Sequence, residues 1–130
     1  MSDTYTISAD SLAVDLPDQI LTEMRGFGDA RATARGDSAS TEVDWIAGDS
    51  VVAQFDSTST GARTLSELRA GGNARAFYQI YDEEEPDLPP GFNYSRGLRI
   101  VATFEEETLK RVDVMGEADG IYLEPNRRPL

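Results

Sequence analysis

Leu65-Ser66-Glu67-Leu68-Arg69-Ala70-Gly71-Gly72-Asn73-Ala74-Arg75-Ala76 is the stretch on which the fold class turns. It is the best helix candidate in the chain, yet it contains Gly71-Gly72, and two interior glycines cost a helix roughly 2 kcal/mol. Beyond the glycines the chain alternates instead: Ala74, Ala76, Tyr78 and Ile80 are separated by Arg75, Phe77 and Gln79. That is the period of two of a strand with one buried face. No segment sustains helical i, i+3, i+4, i+7 spacing. The chain is expected to be all-β.

Gly72 lies midway between Gly28 and Gly116, at a constant interval of 44 residues. Two residues after each glycine is an alanine: Ala30, Ala74, Ala118. Four after come Ala32, Ala76 and Gly120, and seven before come Leu21, Leu65 and Leu109. Four before is a further apolar residue: Met24, Leu68, Val112. Such agreement marks an internal repeat.

Each copy also has an upstream block, Ala9–Leu16, Gly48–Phe55 or Gly97–Phe104. The last apolar residue of the block precedes the glycine by 12, 17 and 12 residues, the extra five falling in the polar turn 56–63. Alternation recurs in Leu12, Val14, Leu16, in Val51, Ala53, Phe55, and in Ile100, Ala102, Phe104. Each copy therefore reads as strand, turn, strand, over approximately 5–36, 43–81 and 92–124, within one domain spanning 1–124. Turn signals stand at Leu16-Pro17-Asp18-Gln19 and Arg35-Gly36-Asp37-Ser38. The acidic, proline-rich segment 82–91 reads as a loop, since prolines cannot pair in a sheet interior. Residues 125–130 read as a tail or linker. Trp45, Phe77, Tyr78, Tyr81, Phe92 and Tyr94 read as rung ends and edge covers.

Composition removes several chemistries. The chain has 130 residues with no Cys and no His, 12 Lys and Arg against 24 Asp and Glu, and a net charge of −12. Disulfides, thiol nucleophiles, thiolate or imidazole metal sites and His-based triads are excluded. The charge argues against nucleic acid, whose binding depends on cations displacing counterions. No apolar run is long enough to span a membrane as a helix. With 24 acids, a carboxylate pair at glycosidase spacing carries little information, and no catalytic residue is assigned. The run Asp82-Glu83-Glu84-Glu85 lacks the alternating acids and central glycine of a calcium loop, so neither a metal nor a cofactor is assigned. Gly26-Phe27-Gly28-Asp29 hints at a dinucleotide fingerprint, but Arg31 stands at the third glycine position and no helix follows.

Gly28, Gly72 and Gly116 read as corners at the same place in each rung. Asp10 and Asp49 share one repeat position, Asp29, Asn73 and Glu117 another, as turn caps between strands. The small inward row Ala30, Ala32, Ala74, Ala76, Ala118 admits two readings. It packs tightly against Leu12, Val14, Val51, Phe55, Ile100 and Phe104, or it leaves a groove wide enough for an acyl chain.

The pieces Ile7-Ser8-Ala9-Asp10-Ser11-Leu12-Ala13-Val14-Asp15 and Met24-Arg25-Gly26-Phe27-Gly28-Asp29-Ala30 show an apolar-x-Ala-Asp opening and a glycine-containing return strand. With Arg69–Ala76 and, more loosely, Val112–Gly120, they resemble the OstA-like domain of lipopolysaccharide transport, over most of 5–124. The resemblance implies a V-shaped β-jellyroll built from the three repeats, non-enzymatic and binding lipid or lipopolysaccharide acyl chains in an apolar groove. Its lining would be Leu12, Val14, Leu16, Ala30, Ala32, Val51, Ala53, Phe55, Ala74, Ala76, Ile100, Ala102, Phe104 and Ala118. It further implies edge-strand contacts with like domains, head-to-tail self-association and a periplasmic or outer-membrane setting. Met1-Ser2-Asp3-Thr4-Tyr5 carries no secretory leader, so the chain is expected to be either cytoplasmic or, in the setting the resemblance implies, a piece of a longer exported protein. The alternative is a structural domain with a filled core that acts in assembly.

Overall fold

The structure, a computed structural model, describes residues 4–35, 44–57, 63–80, 91–105 and 108–123. The turn at 36–38, most of the acidic loop 82–91, Tyr81 and the tail 125–130 lie outside the described residues. Among the described residues, eight strands form one antiparallel sheet: β1 Thr4–Ser8, β2 Ser11–Asp15, β3 Glu23–Arg35, β4 Asp44–Ser57, β5 Arg63–Ile80, β6 Gly91–Glu105, β7 Thr108–Met115 and β8 Asp119–Leu123. A short 3-10 turn, Pro17–Gln19, joins β2 to β3 where the sequence signals a turn. Gly91, assigned above to the acidic loop, opens β6 instead.

The order is β1-β3-β4-β5-β6-β7, with β2 also on β3 and β8 also on β6. Thus β1 and β2 lie end to end along β3, and β7 and β8 lie end to end along β6. The outermost strands are therefore each broken in two, which the single upstream block of the first copy does not anticipate.

Register fixes two faces, because directly paired residues point the same way. Met24, Ala53, Leu68, Ala102 and Val112 stand in one row across β3 to β7. Gly26, Val51, Ala70, Ile100 and Val114 form the next. Ala32, Ile46, Ala76 and Ser95 form a third, nearer the other strand ends. These rows make the apolar inner face. Between them the register shifts, at Phe27/Ala30, Ala47/Ser50 and Gly71/Ala74.

The cause is local. Gly28, Gly72 and Gly116 have φ of 84°, 76° and 79°, and Asp29, Asn73 and Glu117, which follow them, have φ of 48°, 52° and 51°. Two successive left-handed residues form a bulge that redirects the strand. Asp10, Asp49 and Leu98 lie against the three glycines, where a Cβ would come within 3.0 Å of each. The amides of Asp10 and Leu98 donate to the carbonyls of Gly28 and Gly116, each at 2.9 Å.

Candidate functional site

One core cluster draws on the inner face from both sides of the bulge line. Ala30, Ala32, Ile46, Ala74 and Ala76 come from one side, Val51, Ala53, Leu65, Leu68, Ala70, Ile100 and Ala102 from the other. Seven of these twelve are alanine, so the opposing surfaces carry little side-chain bulk and leave room between them.

That room is an apolar slot. Ala32, Ile46 and Ala76 share a cavity of about 60 Å³ with Leu68, Ile100, Ala102, Phe104, Leu109 and Val112. A second cavity of about 200 Å³ is lined by Ile7, Leu21, Met24, Ala53, Phe55 and Leu65, and shares Ala32 and Leu68 with the first. Leu21 also borders an open depression of about 670 Å³ with Gln19, Ile20, Ser57 and Arg63. There the Arg63 guanidinium donates to the carbonyls of Leu21 and Phe55 at 2.8 and 2.9 Å.

A polar row closes the inner face at the other strand ends. Tyr78 pairs with Asn93 and Asn93 with Tyr122, and Asp44 stands one step beyond the Trp45–Phe77 pair in the same row. Asp44 and Tyr78 line the smaller cavity. The Gln79 backbone and side-chain amides donate to Asp44 Oδ1 at 3.0 and 3.3 Å, and Ser95 Oγ donates to Asn93 Oδ1 at 2.6 Å. Burial raises the Asp44 pKa above its ordinary value, and the two bonds from Gln79 oppose that rise only in part.

The outer face is different in kind. Arg31, Ala47, Arg75 and Arg96 form one row, and Arg25, Val52, Arg69 and Val101 another. Arg25 pairs with Asp15 and Glu23, Arg69 with Glu67, Arg96 with Asp119 and Arg111 with Asp113. Trp45 stacks on Phe77 at 6.2 Å and Phe77 on Phe92 at 5.6 Å, Tyr94 meets Trp45 edge-on, and the Arg31 guanidinium lies 4.3 Å over the indole. These aromatics do sit at strand ends, but they ladder across β4 to β6 rather than cover an edge.

Of the lining residues named from sequence, Ala32, Ala53, Phe55, Ala76, Ile100, Ala102 and Phe104 line the two cavities. Ala30, Val51 and Ala74 are buried in the core beside them without lining either. Leu12 and Val14 belong to the inner face, opposite Gly26 and Met24, but at the sheet edge they are half exposed. Leu16 lies outside the strand and is exposed. Ala118 does not continue the buried alanine row: it falls in the gap between β7 and β8 and is exposed. The inward alanine row therefore stops at Ala76.

Residues left off that list complete the slot, and a signal for them existed. Leu21, Leu65 and Leu109, seven before the glycines, and Met24, Leu68 and Val112, four before, all line it. The spacing marked these positions without showing which way they face.

Among the described residues, no group of three or more His, Cys, Asp or Glu is placed to hold a metal. No helix there is long and apolar enough to cross a membrane. Comparison of the chain with protein-family models and with curated proteins finds no match.

Proposed function

We propose that the chain is a non-enzymatic lipid-binding and transport module of the cell envelope. In this reading it is an OstA-like β-jellyroll, three units of about 44 residues folded into a V along the glycine bulges. Acyl chains, those of lipopolysaccharide among them, lie on its inner face. The slot carries this reading: two neighbouring cavities that share Ala32 and Leu68, lined by apolar residues save for Asp44, Tyr78 and Trp45.

Magnitudes set the kind of binding. An apolar cavity of about 150 Å³ suffices for a benzene ring, so the larger cavity accommodates a short length of chain as it stands. A longer chain requires the two halves to part. About ten buried methylenes contribute about 8 kcal/mol, against at least about 4 kcal/mol of lost freedom. The remainder corresponds to binding near the millimolar range for one chain. A carrier that must release its cargo is served by such loose holding.

Partners of the same reading are like domains. β2 and β8, at opposite edges, expose Leu12, Val14, Ile121 and Leu123, and an edge strand offers unpaired N–H and C=O groups. Head-to-tail stacking through these edges would build an open chain.

A structural domain with a filled interior is the competing reading, favoured by the complete burial of Val51 and Ile100. Native mass spectrometry of the extracted protein, with titration of a fluorescent acyl probe, separates the two. Filling the slot by Ala76→Trp is expected to weaken probe binding at least about tenfold. The milder Ala32→Val, at a residue that lines both cavities, is expected to weaken it partially. Unchanged binding in folded variants, with no co-purified lipid, would leave the structural reading standing.

A further inference from the structure

The slot is walled almost wholly by carbon, yet its rim is polar on one lip. Asp44 and Tyr78 line the smaller cavity, and Asn93 and Tyr122 continue the row of Tyr78 across β6 and β8. The facing lip of the smaller cavity carries Phe104 and Leu109. A chain that enters from this end would keep the atoms at its polar end beside Asp44.

The chemistry of that row is one-sided. It holds one carboxylate, two phenols and an amide. No described Lys or Arg lines either cavity, and none stands in the row; Arg63 borders the depression at the Leu21 end, where its guanidinium donates to the carbonyls of Leu21 and Phe55. The guanidiniums of Arg25, Arg31, Arg69, Arg75 and Arg96 all belong to the outer face by register. Both bonds from Gln79 reach Asp44 Oδ1, and Oδ2 accepts none from the described residues. Burial has stripped this carboxylate of part of its water, so a donor brought against it gains more than it would at the surface. An incoming anion would meet a partly desolvated negative group that pairs with no Lys or Arg among the described residues.

We propose that this rim makes the slot selective for single-chain amphiphiles whose head group donates hydrogen bonds, a hydroxylated or amine head, over those ending in a carboxylate. The inference rests on the acyl-slot reading above and adds the head-group class to it.

The test is displacement of a fluorescent acyl probe by three amphiphiles of equal chain length, decyl glucoside, decylamine and decanoate, each below its critical micelle concentration. About 0.5 M salt shortens the screening length to about 4 Å, so that the overall charge of the chain does not dominate. The glucoside and the amine are expected to displace the probe at least about tenfold more strongly than decanoate, the ratio that one hydrogen bond to a charged group supports. Asp44→Asn is expected to cut that ratio to about threefold or less, while Asp56→Asn, an exposed acid at the far end of β4, leaves it unchanged. Equal displacement by all three, or discrimination that survives Asp44→Asn, overturns the selectivity while leaving the slot intact. Failure of all three to displace the probe overturns the slot itself, and the selectivity with it.

Discussion

Gly71 and Gly72 are neighbours in β5 with opposite demands. Gly72 holds φ at +76°, and a Cβ there would press on Asp49 Oδ2 and fall 2.9 Å from Asp49 Cβ, whereas a Cβ on Gly71 would meet only Ser50 Oγ at 3.4 Å. An L-residue pays strain in the left-handed region that glycine does not. Gly72→Ala is expected to lose about 2–3 kcal/mol, and Gly71→Ala to be neutral or to gain up to about 1 kcal/mol by restricting the unfolded chain. Thermal or urea unfolding of the two variants side by side checks this; equal losses would mean that the bulge conformation is not held. Asp44 gives a second residue-scale prediction. Its pKa is raised in the folded state, so below 3.8, its ordinary value, folded and unfolded chains both carry the proton. As the pH rises past that value the unfolded chain ionises first, and stability falls until the folded group ionises too. Asp44→Asn keeps an oxygen to accept from Gln79 and removes the charge. It is expected to melt higher than the parent at neutral pH, with the advantage vanishing below pH 3.8. A constant difference across the pH series would place the effect elsewhere.

At the scale of strands, the edges carry the testable feature. β8 runs beside β6 only from Asp119 to Leu123, and Ile121, Tyr122 and Leu123 are all exposed. Successive N–H groups point to opposite sides of a strand, so of Ile121→Pro and Tyr122→Pro, one removes an outward donor without touching the ladder to β6. That variant is expected to abolish any self-association while keeping the parental circular dichroism spectrum. The strands themselves were only partly legible in the sequence. Alternation at Leu12–Leu16 and Ala74–Ile80 and the 44-residue spacing of the glycines mark strands and bulges, because buried faces and positive φ both leave a residue-type signature. The break between β1 and β2 at Ala9-Asp10 leaves none: it answers the bulge at Gly28 on the neighbouring strand. Trp45 and Phe77 look like strand ends in sequence, since bulky residues outside the inner parity have no role until the register brings them together. The Asp44–Gln79 contact spans 35 residues, and no local pattern announces it.

For the whole molecule, charge and apolar surface are sorted by face. Basic side chains populate the outer rows, the cavities are apolar, and the net charge is −12. Repulsion between copies is screened by salt, with a range of about 10 Å at 0.1 M and about 3 Å at 1 M. The chain is therefore expected to be monomeric at low ionic strength and to associate as salt and protein concentration rise. Sedimentation velocity across a salt series measures this, and a concentration-independent monomer throughout would mean that the edges are covered.

The strand order has a kinetic meaning as well. Each described strand pairs only with strands next, or next but one, along the chain. Nothing made early has to wait for a distant partner, so loop closure is short at every step and the usual slowness of β proteins is eased. From β3 onward a chain leaving the ribosome can lay β4 on β3, β5 on β4, β6 on β5 and β7 on β6. Through that run the newest strand is the growing edge, and β7 and β8, both laid on β6, form the edge that it leaves.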